Sequence, residues 1–302
     1  MAQLRILVTG STGFIGSALG PFLAAGGHRV TRLVRTLPRR GKGEVQWGPE
    51  TGFVDTARLE GLDGVVHLAG ENIATGRWTA EKKAMIRDSR VDGTRLLCDS
   101  LTRLKQPPKV LVCASAIGYY GDRGDELLTE ESASGTGFLA GVCREWEAAS
   151  KPAEQKGIRV VHLRFGMVLS PSGGAMAKLL PPFKKGLGGV LGTGRQYVSW
   201  IALDDLLGVI AHVLTTEMLQ DPVNAVAPNP VTNREFTRTL GRLLGRFTLL
   251  PMPAPAARLA FGEMADEVLL ASQRVQPTRL LATGYCFRYP DLDGALRHLL
   301  EC

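Results

Sequence analysis

The feature that most constrains this chain is its opening. Leu4-Arg-Ile-Leu-Val-Thr9 is an apolar run of strand length, and Gly10-Ser-Thr-Gly13-Phe-Ile-Gly16 follows at once. An apolar-periodic stretch from Phe14 to Ala25 then reads as a helix ended by Gly26-Gly27. Each glycine has a physical use in a strand–turn–helix. Gly10 lets the strand turn sharply, Gly13 removes a side chain where phosphates would approach the backbone, and Gly16 allows close packing of the helix. The helix start offers unpaired N–H groups and a positive dipole end to those phosphates. Residues 10–16, with Ser11, Thr12, Phe14 and Ile15 between the glycines, are therefore expected to bind a dinucleotide. An ordinary glycine-rich turn is the plain alternative.

Further strand patterns lie at Arg29–Val34, Glu44–Trp47, Val65–Leu68, Val110–Ala114 and Arg159–Phe165. Thr79–Leu104 and Gly137–Lys156 read as helices, the first stopped by Pro107-Pro108 and the second bent or broken at Pro152. Strands alternating with helices predict an α/β fold, a Rossmann-like doubly wound parallel sheet. After Gly166 the glycines and prolines crowd together, as in substrate-facing loops beyond a sixth strand. Asp204 or Asp205 is expected to cap a helix ending near Thr216. Thr232 and Glu235 form a capping box before Phe236–Leu244, and a last helix covers Leu292–Leu300. The expected division gives residues 1–166 to a nucleotide-binding domain, with the sheet completed by segments near 196–227. Residues 167–302 form mainly a smaller C-terminal substrate lobe.

Composition narrows the class. The 302 residues are 44% hydrophobic and 22% charged, ordinary for a globular chain of this length. The net charge of +7 suits a phosphate-bearing ligand as well as a mildly basic surface. The cations are dispersed, apart from Arg35, Arg39, Arg40 and Lys42, which argues against a nucleic-acid partner. Five cysteines without CxxC spacing read as free thiols of a reducing, cytoplasmic compartment. The N-terminus shows no charged leader and the chain no membrane-length apolar run, so neither a signal peptide nor a membrane span is expected. The five histidines are scattered, with no paired-ligand spacing, so no metal site is expected; a lone His67 in an apolar strand reads as a satisfied core residue.

The end of the second strand selects the cofactor. An acid about 20 residues after the glycine turn would bind the ribose 2′-hydroxyl of NAD. Val34-Arg35 stands there instead, and no acid occurs from His28 to Gly43. A guanidinium can grip a 2′-phosphate that a carboxylate would repel. The expectation is NADP(H), with Arg35 as the main clamp and Ser11 or Arg32 as helpers; the alternative is a solvated loop arginine.

More motifs run along the chain: His67-Leu-Ala-Gly-Glu-Asn-Ile73, Ile86-Arg-Asp-Ser-Arg90, Ser115-Ala-Ile-Gly-Tyr-Tyr-Gly121, Trp146-Glu147, Gly186 to Gln196, Trp200-Ile201 with Asp204-Asp205, and Ala282-Thr-Gly-Tyr285 with Phe287-Arg-Tyr-Pro290. With residues 10–16 they resemble the extended or atypical short-chain dehydrogenase/reductases of the NAD-dependent epimerase/dehydratase superfamily. Within these, the chain is similar to the epimerase family protein subgroup, which ends in a small C-terminal module. The resemblance implies strand order 3-2-1-4-5-6-7. It also implies that Leu68, Ala69 and Gly70 lie against the cofactor riboses and residues 115–120 beside the nicotinamide. By analogy it offers the helices Thr79–Leu104 and Gly137–Lys156 for a homodimer. Ala202 departs from the subgroup, where a histidine is usual.

The superfamily works by a Tyr-x-x-x-Lys pair, and the helix that should carry it, Gly137 to Glu147, has neither residue; Arg144 is its one base. The usual asparagine of the long helix is replaced by Ser89 or Arg90, and Ser115 lies one residue before the common serine position, where Ala116 falls. Ser115, Tyr119 and Tyr120 are the substitute catalytic candidates, each with a plain role as strand cap, pocket wall or core. Glu71, Asn72, Arg90, Arg195, Gln196 and Trp200 are candidate substrate contacts, against loop anchoring or solvation. The expected function is an NADP(H)-dependent oxidoreductase or epimerase-like enzyme on a small carbonyl or hydroxyl compound. The alternative is a non-catalytic NADP(H)-binding regulator or scaffold, tied by the resemblance to division.

Overall fold

The computed structural model describes residues 3–301. The chain opens with β1 (Arg5–Thr9), α1 (Phe14–Ala25), β2 (Arg29–Val34), β3 (Glu44–Gly48), β4 (Phe53–Val54) and β5 (Gly64–His67). Then come α2 (Ala80–Thr102), β6 (Val110–Ala116), β7 (Leu127–Leu128), α3 (Phe138–Ala148), α4 (Lys151–Gln155) and β8 (Arg159–Phe165). The second part holds β9 (Met167–Leu169), α5 (Gly174–Lys184), β10 (Tyr197–Val198), β11 (Trp200–Ala202), α6 (Leu203–Thr215), β12 (Asp221–Ala225) and β13 (Val231–Thr232). It ends with α7 (Asn233–Leu243), α8 (Ala254–Phe261), β14 (Arg274–Val275), α9 (Thr278–Ala282) and α10 (Leu292–Leu300).

The main sheet runs β4-β3-β2-β1-β5-β6-β8-β12. All neighbours are parallel except β3 and β4. This is the doubly wound order 3-2-1-4-5-6-7 with a short antiparallel hook on one edge. Residues 221–225 supply the seventh strand. Alternate residues of each strand feed opposite faces. Ile6, Val8, Val66 and Leu163 pack with Leu19 and Leu23 of α1 and Ile210 of α6. Leu7, Val65, Leu111 and Val160 pack with Leu97 and Leu101 of α2 and Ala153 of α4. Burying each such side chain contributes about 1.5–3 kcal/mol.

Helix boundaries follow local chemistry, with one correction. Thr79 caps α2 by accepting from Lys82 N–H, and Thr232 caps α7 by accepting from Glu235 N–H. The helical stretch around Pro152 is broken: α3 ends at Ala148 and α4 restarts with Pro152 in its first turn. Neither Asp204 nor Asp205 caps α6, which begins after Ala202 without a side-chain cap. Asp205 is instead fully buried and accepts from the Arg288 N–H at 2.8 Å and the Tyr289 N–H at 3.0 Å. Two backbone donors from the last part of the chain outcompete the cap.

Candidate functional site

The glycine turn follows β1 and lies against the residues just after β5. Gly10 has φ +63, and a Cβ there would lie 2.7 Å from the Leu68 carbonyl carbon. A Cβ on Gly16 would lie 2.2 Å from the Gly10 oxygen, so this glycine lets the helix start pack against its own turn. Gly13 closes the turn by donating its N–H to Gly10 O at 2.9 Å. No side chain caps α1, and its first turn carries no acid. Ser11 Oγ is buried with no hydrogen-bond partner, the one such side-chain atom among the described residues. A buried hydroxyl costs free energy unless something bonds it. These features fit the diphosphate of a dinucleotide: the turn supplies a cradle, an uncapped helix start and an unsatisfied hydroxyl. The segment after β9 packs against this turn, since a Cβ on Gly173 would lie 2.3 Å from the Phe14 ring.

At the end of β2, Arg35 is exposed and makes no hydrogen bond or ion pair among the described residues. Arg32 is not free to help: its Nη2 pairs with Glu44 at 2.8 Å. Glu44 also binds Arg39, whose hydrogen bonds hold the carboxyl down to about 2. The loop after Arg35 walls a polar cavity of about 510 Å³ with Arg39, Arg40 and Arg58.

At the end of β5, Thr9 Oγ1 accepts from the Leu68 and Ala69 N–H groups, both at 3.1 Å. Its own proton must then go to His67 Nδ1, 2.7 Å away. That fixes His67 as the Nε2–H tautomer, donating to Thr94 Oγ1 at 3.0 Å. Burial pushes the His67 pKa down to about 4. This chain of bonds fixes the loop that begins at Leu68 and Ala69; Gly70, the next residue, packs on the Arg90 guanidinium.

The face of α3 turned toward β6 carries Leu139 and Cys143. Leu139 Cβ lies 3.4 Å from where a Gly118 Cβ would stand, and Cys143 Sγ donates to Ala116 O at 3.7 Å. Their four-residue spacing is that of the Tyr-x-x-x-Lys pair. Burial pushes the Cys143 thiol up to about 12, so it is neutral.

Beneath this face lies a buried polar chain. Ser115 Oγ donates to Glu147 Oε1 at 2.6 Å. Arg164 donates to both Glu147 oxygens at 2.9 and 2.8 Å, and through Nη1 to Tyr120 Oη at 3.0 Å. Tyr120 Oη donates to Asn224 Oδ1 at 2.7 Å, and Asn224 Nδ2 to Gln276 O at 2.9 Å. Ser115 and Tyr120 are thus buried scaffold, and burial pushes the Tyr120 phenol up. Tyr119 differs: its ring lies 3.5 Å under the Arg164 guanidinium, and its hydroxyl has no partner among the described residues. Glu147, Arg164 and Asn224 were not singled out as site residues from the sequence. A charged residue inside the apolar run Arg159–Phe165 is the signal that marks Arg164.

The candidate substrate contacts separate into two groups. Glu71 pairs with Lys82 and donates its N–H to Ser89 Oγ at 3.0 Å. Arg90 donates through Nη1 to Glu71 O and Ile86 O, both at 3.0 Å, and no carboxylate pairs with it among the described residues. Burial lowers its pKa. Asn72 Oδ1 accepts from Ala74 N–H in a local turn. Glu71 and Asn72 follow β5, and Arg90 reaches back to them from α2 through the Glu71 carbonyl. Gln196 is buried and donates to Leu191 O and Leu269 O, and Trp200 is a core residue donating to Asn229 O. Neither offers a substrate a surface, because the fold engages their polar atoms. Arg195 is exposed, and its side chain has no partner among the described residues.

A family model described as the NAD dependent epimerase/dehydratase family matches residues 6–225. The chain belongs to this family. A second model, a domain of unknown function (DUF1731), matches residues 252–299. The epimerase family protein Mb2239 of Mycobacterium bovis is 44% identical, over 98% of this chain and 97% of its own. The crystal structure of human epimerase family protein SDR39U1 with NADPH superposes with TM-score 0.91 at 37% identity, covering 99% of both chains. Thermus thermophilus UDP-glucose 4-epimerase, at TM-score 0.74 and 20% identity over 99% and 98% of the two chains, shares the fold. Among the described residues no helix is long and apolar enough to cross a membrane.

Proposed function

We propose that this chain binds NADP(H) and is an oxidoreductase or epimerase-like enzyme on a small carbonyl or hydroxyl compound. The carrying observation is the buried, unpartnered Ser11 Oγ inside a glycine cradle at an uncapped helix start. The unpaired Arg35 suits the 2′-phosphate, and the NADPH in the human relative's structure supports the same choice. Residues 10–16 hold the diphosphate, and Leu68, Ala69 and Gly70 line the riboses. Bound NADP(H) supplies or takes a hydride. The chain's own part is a proton, and Tyr119 Oη is the group we assign to it, given to a carbonyl oxygen in reduction and taken from a hydroxyl in oxidation. Tyr119 is chosen because Tyr120 and Ser115 are engaged in the buried chain, while Arg164 sets a fixed cation over the Tyr119 ring. Glu71, Asn72 and Arg90 face the substrate, with Arg90 offering donors to an anionic group.

Residues 1–166 carry the cofactor in this reading, and most of 167–302 the substrate. The free thiols Cys98, Cys113, Cys143 and Cys286 suit a cytoplasmic protein. A homodimer would use α2 and α3, and no nucleic acid takes part. NADPH oxidation across a panel of small carbonyl compounds tests the enzyme, with Tyr119→Phe and Tyr120→Phe beside the native protein. Turnover abolished by Tyr119→Phe is expected; full activity of that variant removes the assignment.

A second reading, a non-catalytic NADP(H)-dependent regulator with a division-related role, is favoured by Leu139 and Cys143 on the active face of α3. NADPH binding without turnover, together with a partner retained only when NADPH is present, would select it.

A further inference from the structure

Helix α3 starts without a cap of its own. Gly137 precedes it at φ 102 with no side-chain hydrogen bond, and its first turn holds no acid. The acceptor comes from far along the chain: Glu267 Oε1 takes the Phe138 N–H at 3.1 Å, and Oε2 takes the Leu139 N–H at 3.0 Å. A Cβ on Gly137 would fall 2.4 Å from Glu267 Oε1, so a glycine is needed to admit the carboxylate. The helix dipole adds to the attraction.

Glu267 sits in a single π-turn, Ala265–Leu269, an irregularity that often marks a functional segment. The surrounding stretch is tied down at three further points, two of them next to the segment that carries Glu71 and Asn72. Arg77 Nη2 donates to Leu259 O, Lys83 pairs with Glu263 at 2.8 Å, and Gln196 donates to Leu269 O at 3.2 Å. Its own burial is slight: α8 buries Ala257 and the π-turn buries Ala265. The remainder of the C-terminal module is anchored, with β14 paired to β7 and Leu280, Leu292, Ala295 and Leu296 buried. The module of unknown function therefore has a fixed half and a lightly held half.

We infer that residues 254–269 form a strap across the substrate side of the crevice, latched by Glu267 on the start of α3, and that ligands exchange when the latch opens. This rests on the NADP(H) crevice proposed above. Exposed ion pairs hold about 0–1 kcal/mol each, and a segment with few buried apolar contacts opens at low free energy. Opening uncovers the first turn of α3, which carries Leu139.

Hydrogen exchange of the full chain, native and as Glu267→Ala and Glu267→Gln, tests the strap without any ligand. Exchange in peptides covering 136–141 and 254–269 should rise about tenfold or more in Glu267→Ala, while 274–300 and the sheet keep their protection. Glu267→Gln, which keeps one acceptor oxygen, should fall between. Unchanged protection, or equal loosening of 274–300, overturns the strap. Fluorescence then follows release of NADPH, which should be about threefold or more faster from Glu267→Ala. An unchanged release rate rejects the latch as a gate. Failure of the native protein to bind NADPH would instead reject the cofactor reading, leaving the exchange result to decide the strap.

Discussion

Arg164 grips both carboxylate oxygens of Glu147 in the interior, with the Arg164 side chain 3% exposed. Removing one partner of such a pair leaves the other charge buried and bare, at a cost of about 3–5 kcal/mol. Glu147→Ala is therefore expected to lower unfolding stability by that order in urea. Glu147→Leu combined with Arg164→Met should recover a large part of it. Equal losses in the single and double variants would show that the pair is not a unit.

The His67 ring gives the stability a pH dependence of known sign. Its folded pKa of about 4 lies below the ordinary histidine value of 6.5, so the unfolded chain binds the extra proton first. The stabilisation is complete above the unfolded value and is lost as pH falls through the folded one, on the order of 3 kcal/mol in total. Unfolding measured from pH 7 to pH 4 should show this slope, and His67→Gln should flatten it.

Ser11→Ala should act in opposite directions on stability and binding. Deleting a buried hydroxyl with no partner removes a penalty of about 1–3 kcal/mol, so the ligand-free variant should melt no lower than the native protein. Its NADPH affinity should fall, read by nucleotide fluorescence. A variant that is both less stable and unchanged in affinity contradicts the role given to this hydroxyl.

Arg35→Ala should weaken NADPH binding by about 10–100-fold, the size expected for a charged hydrogen-bonding group, and leave NADH binding nearly unchanged. Titration of both nucleotides against both proteins checks it. Equal affinity of the native protein for the two would remove the 2′-phosphate assignment.

Gly16→Ala places a methyl 2.2 Å from the Gly10 oxygen, which is backbone and cannot swing aside. The expected result is a loss of about 1–3 kcal/mol in stability, together with reduced NADPH binding. Gly20→Ala, which meets nothing within 4 Å, is the matched control and should be neutral or stabilising.

The glycine turn was legible because its causes are local: a strand, a sharp turn and a helix start lie within adjacent residues, whereas the strand order came from the family resemblance. Asp205 shows where such reading stops. Next to a helix start it looks like a cap, but its partners are Arg288 and Tyr289, and spacing cannot show that. Tyr119 and Tyr120 are neighbours of identical chemistry, and only the path of the Arg164 side chain separates the buried phenol from the free one. Arg32 is a similar case, since the acid that occupies it begins the next strand.

The Asp205 carboxylate waits for amides 83 and 84 residues downstream. A ribosome delivers those amides long after the acid itself. Until then the acid must stay hydrated, so the layer built on α6 cannot seal before residues 288 and 289 are made. Closure of that face should follow synthesis of this distant stretch, and a nascent chain stalled before Arg288 would carry an open seam along one side of its sheet.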